Sequence, residues 1–119
     1  MRKLFTGAAL AAVVTLGIGN ALAAEMPSTP NEETYVLYHK AIVAAERCRD
    51  LDFDQAQHSA MAKVINSKIA HDIGAKRLNL IATAKNEAGK MTSGGCANKP
   101  EVDQWLAIYD SELKPALPY

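Results

Sequence analysis

The chain has 119 residues, 13 Lys and Arg against 13 Asp and Glu, three histidines and two cysteines. That length suits one domain with a single hydrophobic core. Interspersed charges that cancel exclude the concentrated basic patch on which nucleic-acid binding depends.

The N-terminus reads as a secretory signal peptide over residues 1–23. Arg2 and Lys3 form a positive start, Leu4 to Ile18 carry no charge, and Ala21-Leu22-Ala23 offers small residues for cleavage. The apolar run is too short for a spanning helix, which needs about 20 residues, and Gly17, Gly19 and Asn20 interrupt it. No membrane anchor is expected in the mature form. Removing the first 23 of 119 residues leaves 96, and the loss of Arg2 and Lys3 leaves 11 basic against 13 acidic side chains, a net charge near −2. The expected location is outside the inner membrane, in the periplasm of a Gram-negative cell and otherwise secreted.

The mature part, residues 24–119, is expected to fold as one helical domain. Its first helix is predicted near residues 30–49. Thr29 can cap it, Pro30 fits the first helical position, and Glu32 completes a capping box. Tyr35, Tyr38, Ile42 and Ala45 recur at helical spacing beside a second stripe of Leu37, Ala41, Ala44 and Cys48. A second helix is predicted near residues 54–73, with Asp54 as cap, Gln57 as box partner and Phe53 as staple. Met61, Val64, Ile65, Ile69 and Ile73 supply its apolar face. A third, near 75–91, carries Leu78, Ile81, Ala84, Ala88 and Met91, and stops at Thr92-Ser93-Gly94-Gly95. The fourth, near 100–113, opens at Pro100 and carries Val102, Trp105, Leu106, Tyr109 and Leu113 before Pro115 and Pro118.

The apolar phase runs almost unbroken through Gly74, so residues 54–91 also read as one continuous helix, about 57 Å long at 1.5 Å per residue. The cysteines separate the two readings. In an exported chain an even pair is most simply a disulfide, although Arg47 and Arg49 beside Cys48 would favour a thiolate. Bridged α-carbons lie about 4.4–6.8 Å apart. An intramolecular Cys48–Cys96 bridge therefore requires a reversal near residues 71–74, with Gly74 as the terminating residue. The fold expected is all-α: a small, disulfide-stapled, antiparallel four-helix arrangement.

The chemistry available is sparse. His39, His58 and His71 show no spacing that puts two metal ligands on one helix face. Tyr35 and His39 do share a face, so His39 with Tyr35 or His71 is the one candidate set for a metal or haem carrier. The C-x-x-C-H attachment motif is absent, and no cofactor is expected. Ser59, Ser67 and Ser93 sit in no nucleophile setting, Gly94-Gly95 lacks a phosphate-cradling pattern, and Glu32–Glu33 and Asp52–Asp54 are explained as helix-start carboxylates. No catalytic residue is assigned and an enzyme is not expected. Lys76 and Arg77 are unusual at a helix start and have two readings, a local salt bridge near Asp72, which is the one expected, or a face presented to a partner. Trp105, Tyr109, Tyr35 and Tyr38 have two readings, core packing or the lining of a ligand or partner surface, which the segment Leu113 to Tyr119 could cover.

In cysteine separation and exported helical character the chain is similar to small acid-stress chaperones of the enteric periplasm. The likeness is confined to size, one bridge and helicity. Ala45-Glu46-Arg47-Cys48-Arg49-Asp50 does not match their sequence, so no residue role is carried over. Export, size, a single bridge and the absence of catalytic motifs lead to the expectation of a non-enzymatic protein that binds a protein partner or small ligand, with envelope stress as a setting. The alternatives are the metal or haem carrier and an enzyme of unrecognised type whose site the tertiary fold assembles.

Overall fold

A computed structural model describes residues 26–69 and 73–118. The expected signal peptide and His71 lie outside these residues. The described chain is all-helical, with four α-helices in the order α1 (Pro30–Cys48), α2 (Gln55–Lys68), α3 (Arg77–Thr92) and α4 (Pro100–Ile108). Among the described residues no helix is long and apolar enough to cross a membrane.

Helix α1 begins as its sequence dictates. Thr29 is extended, its hydroxyl accepts from the Glu32 N–H at 3.1 Å, and Pro30 occupies the first turn, where no N–H is needed. The capping box is altered, however. The Glu32 carboxylate accepts from the Ser28 N–H at 2.9 Å and the Ser28 hydroxyl at 3.0 Å, one residue upstream of the expected partner. At its other end α1 closes with Asp50 in the left-handed region (φ 53°) and the Leu51 N–H donating to the Glu46 carbonyl at 3.1 Å. This is the Schellman pattern, with Asp in place of the usual Gly.

Helix α2 has the complete capping box. The Gln57 N–H donates to Asp54 at 2.8 Å, and the Asp54 N–H donates to the Gln57 side chain at 2.9 Å. The helix ends at Lys68, short of the expected 73, because Ile69 is extended (φ −109°, ψ 142°). Asn66 and Ser67 prepare that exit: such side chains compete for backbone groups, and the Ser67 hydroxyl donates to the Val64 carbonyl at 2.6 Å. The continuous helix through Gly74 does not form. Gly74 takes φ +69°, but it opens a 3-10 turn, Gly74–Lys76, that leads into α3, rather than closing α2. Within α3, steps of three slip by about 60° each, which turns Leu78 about 120° away from Ala84. Leu80, Thr83, Ala84 and Ala88 face inward, whereas Leu78, expected on the apolar stripe, is 63% exposed.

Helix α4 passes without a break into a π-helical turn, Tyr109–Leu113, and then a 3-10 turn, Lys114–Ala116. The wider turn carries both Tyr109 and Leu113 into the core. The Lys99 ammonium reaches back to the carbonyls of Met91 at 2.6 Å and Gly95 at 2.8 Å, satisfying acceptors that the end of α3 leaves open.

Helix α1 is the hub. Its most extensive packing is against α3, followed by α4. Ala41, Ala44 and Ala45 of α1 and Ala84 and Ala88 of α3 are fully buried, and small side chains let helix backbones approach closely. The Cys48–Cys96 disulfide, with α-carbons 5.9 Å apart, ties the end of α1 to the loop after α3. Helices α1 and α3 therefore run in the same direction. Helix α2 runs back along α1: His58 near its start lies 3.9 Å from Glu46, and Lys68 at its end reaches Glu112, which also binds Tyr38. One apolar cluster, including Met61, Ile65, Leu80, Val102 and Leu113, joins all four helices.

Candidate functional site

Helices α2 and α3 both rest on α1, and no α-carbon of one comes within 8 Å of an α-carbon of the other. The gap between them is a cleft of about 360 Å³, within the range of small-ligand sites, about 300–1,000 Å³. Its floor is one face of α1, where His39, Ile42, Val43 and Glu46 fall at spacings of three and four. The α2 wall is His58 and Ala62, one turn apart, and the α3 wall is Ile81 and Lys85, also one turn apart. The middle is apolar, and the polar side chains stand around it.

His39 is the central polar group. It is half-buried, its ring lies 4.6 Å from that of Tyr35, and it makes no hydrogen bond to a described residue. Burial is the main cause that holds its pKa down at about 4, and the nearby charges of Lys85, Arg77 and His58 act in the same direction. At neutral pH the imidazole is therefore uncharged, with one nitrogen donating and the other accepting. His58 is exposed, 3.9 Å from Glu46 and edge-on to Phe53 at 5.8 Å. Lys85 is exposed on the opposite wall and has no hydrogen bond or ion pair among the described residues. The cleft thus combines apolar contact area with donors that nothing on α1, α2 or α3 engages. Among the described residues, no three His, Cys, Asp or Glu side chains gather as a metal site.

The four aromatic candidates lie elsewhere, and all are at most 9% exposed. Tyr35 packs beside His39, with the Arg77 guanidinium 5.7 Å from its ring. The Tyr38 hydroxyl donates to Glu112 at 2.8 Å. Burial first, and the Glu112 carboxylate second, push its pKa up to about 12. Glu112 in turn is held below the ordinary carboxylate range by its bonds from Lys68 and Tyr38. Trp105 lies under the Lys40 ammonium, 5.5 Å from the ring, and Lys40 pairs with Glu87 at 2.6 Å. Tyr109 packs against Phe53 at 5.8 Å. These rings fill the core, and Trp105 and Tyr109 each present an edge to a further surface groove. At one groove Lys40 pairs with Glu87, with Lys90 and Glu101 also on the lining, and at the other Arg49 is bidentate to Asp110, with Asp52 and Lys114 also on the lining.

Lys76 and Arg77 bind across the α1–α3 seam. Lys76 meets Glu32 at 3.3 Å and Arg77 covers Tyr35, while the expected partner Asp72 lies outside the described residues. The segment after Leu113 does cover apolar surface: Leu113 and Leu117 are buried, and the segment packs against α2. Sequence reasoning singled out His39 and His58 but missed Glu46, Ala62, Ile81 and Lys85. The available signal was the spacing of His39, Val43 and Glu46 on one face of α1, and of Ile81 and Lys85 on one face of α3. No protein-family model, no curated protein and no solved structure matches the chain.

Proposed function

We propose that the chain is an exported, non-enzymatic helical binding protein whose ligand site is the cleft between α2 and α3. In this reading residues 1–23 are removed on export, and the mature domain works as an antiparallel four-helix arrangement in an oxidising compartment, the periplasm of a Gram-negative host. The observation that carries it is that two helices share one support and leave an apolar gap between them, with His39 and Lys85 at its edge making no hydrogen bond or ion pair among the described residues. The bridge of Cys48 to Cys96 fits such a compartment.

The test uses mature protein and the fluorescent apolar anion 1-anilinonaphthalene-8-sulfonate as probe, with backbone amide shifts as readout. Shifts centred on His39, Ile42, Val43, Ala62 and Ile81 are expected. Ala62→Trp, which adds a side chain on the exposed wall without disturbing the core, is expected to abolish them. Shifts centred on the Trp105 or Phe53–Leu117 grooves, unaffected by that variant, would overturn the assignment. A rival reading, a metal or haem carrier through His39 with Tyr35 or His71, draws on the Tyr35–His39 contact alone. Stoichiometric iron or a haem absorbance in protein purified from its own host would replace the cleft reading with it. The envelope-stress setting draws on the acid sensitivity expected of the half-buried, neutral His39.

A further inference from the structure

We infer that the cleft takes an anionic amphiphile, a single alkyl chain ending in a carboxylate, with the chain along Ile42, Val43 and Ile81 and the carboxylate between His39 and Lys85. This rests on the cleft being the binding site and goes further by naming what binds.

The cleft is two-natured, and each half selects for one half of the ligand. Ile42 and Val43 are buried in the α1 floor and Ile81 is partly buried on the α3 wall. An alkyl chain laid along them removes apolar surface from water, worth roughly 25 cal/mol per Å². That term favours any apolar molecule. Charge supplies the choice among them. The groups facing the imidazole are Lys85 and Arg77 from α3, His58 from α2, and Glu46 from its own helix. Glu46 stands 3.9 Å from His58 at the far end of the cleft floor, two helical turns from His39, so an anionic head is set at the His39–Lys85 end, away from that carboxylate. Lys85 has no ion-pair partner among the described residues. A carboxylate entering here receives a hydrogen bond from the neutral imidazole and faces an unpaired ammonium, the charge-assisted arrangement that is stronger than a neutral one. A cationic head would meet Lys85 and Arg77, and a neutral head would leave Lys85 as it stands.

Binding of this kind must couple to protons. A negative charge beside His39 favours its protonated form and raises its pKa toward the ordinary value. The complex therefore takes up a proton as pH falls from 7 toward 5.5, and affinity rises over that interval, in which most of the ligand's own carboxylate is still ionised.

Isothermal titration of the mature protein with sodium decanoate, decanol and decyltrimethylammonium, below their aggregation thresholds, separates the possibilities. The expected result is 1:1 binding of decanoate that is tighter than that of the other two and tightens from pH 7 to pH 5.5. Lys85→Gln, a change at an exposed position, should weaken decanoate about fivefold and leave decanol unchanged. Amide shifts on decanoate addition should centre on His39, Val43 and Ile81. If decanol or decyltrimethylammonium binds in the cleft as well as decanoate, or if Lys85→Gln affects all three alike, the carboxylate assignment fails and the cleft survives. If none of the three binds, or if shifts centre outside the cleft, both fail. Self-association that buries His39 and is broken by Ala62→Trp would make a second copy the occupant and overturn the inference.

Discussion

Along one side of α1 the seam with α3 is built from fully buried alanines, crossed by Lys76–Glu32 and Lys40–Glu87 ion pairs and closed by the Cys48–Cys96 bridge. Along the other side α2 is attached by few residues. Only Met61 and Ile65 of its 14 residues are buried, Ala60 and Val64 are partly so, and its further ties are to the C-terminal segment, to Glu112 through Lys68 and to Glu46 through His58. The difference follows from side-chain size and position. Ala41, Ala44 and Ala45 allow α3 to lie close over many residues, whereas α2 offers two large anchors on a mostly polar helix. A cleft forms on the side where attachment is sparse, because a wall held at two points need not close against its neighbour. By the same reasoning α2 is the element expected to open first, since stability within a domain follows buried apolar contact.

The largest expected effect breaks the tight side. A Cys48→Ser/Cys96→Ser variant should lose about 4 kcal/mol, the loop-entropy value for a closed loop of this size, read from urea midpoints at unchanged slope. A loss under about 1 kcal/mol would mean that alanine packing alone holds the α1–α3 seam. Next is the loose side. Met61 is fully buried, so Met61→Ala should cost about 3 kcal/mol. Hydrogen exchange should then show residues 55–68 losing protection while α3 keeps it. Equal loss in α2 and α3 would show that the two sides unfold as one unit and that the contrast between them is geometric only.

The two sides were not equally legible in the sequence. Thr29-Pro30, Asp54 with Gln57, and the cysteine pair are local or arithmetically constrained signals, and each acts where expected. Gly74 pointed to a break, but α2 ends earlier, at Lys68, and Gly74 opens the turn into α3 instead of closing α2. Each step of three from Leu78 to Ile81 to Ala84 slips by about 60° on a helix of 3.6 residues per turn, so a strict three-and-four count placed Leu78 inside when it lies outside. The π-helical turn was hidden for a related reason: Tyr109 and Leu113 are four apart, the same spacing an α-helix would use. Glu32 was read as a local cap, and its bond to Lys76 depends on α3 returning beside α1. The cleft was the least legible feature. It exists because the backbones of α2 and α3 stay more than 8 Å apart, and no local pattern records a long-range separation. Four conspicuous aromatics drew attention instead, although amphipathic spacing had already placed them on the buried face.

Acid should sharpen the contrast through His39. Its folded pKa is near 4, against about 6.5 unfolded. Above pH 6.5 both states are neutral there and stability is full. Between pH 6.5 and 4 the unfolded state binds a proton that the folded state does not, so stability falls with pH, by roughly 2–3 kcal/mol in total. Below pH 4 this loss no longer grows. Glu32, Asp110 and Glu112, whose folded pKa values are lowered by hydrogen bonds from Ser28, Arg49 and Lys68 respectively, add losses at lower pH still. His39→Gln removes the first component and leaves the carboxylate components in place. The stability difference between pH 7.5 and pH 4 should therefore shrink by roughly 2–3 kcal/mol in the variant. An unchanged difference would show that His39 is solvated in the folded protein and is not the acid-sensitive group of the cleft floor.

The smallest effect tests how independent α2 is. Asp54 is exposed and makes only the capping box with Gln57, so Asp54→Ala removes a cap and nothing from the core. Such a loss costs about 1 kcal/mol. Where it appears matters more than its size. If α2 frays on its own from the two anchors Met61 and Ile65, the cost falls on local opening: the first-turn amides of α2 exchange about fivefold faster, the value corresponding to about 1 kcal/mol, and the α3 amides do not change. If α2 opens only when the whole domain unfolds, every slow amide in α1 and α3 accelerates by that same factor and the first turn shows no excess. The first outcome makes α2 a wall that can move away from α3 while the bridged α1–α3 pair stays intact, as a cleft that admits a ligand between those helices requires. The second makes the cleft rigid, and entry would then depend on side-chain motion at Ala62, His58 and Lys85 alone.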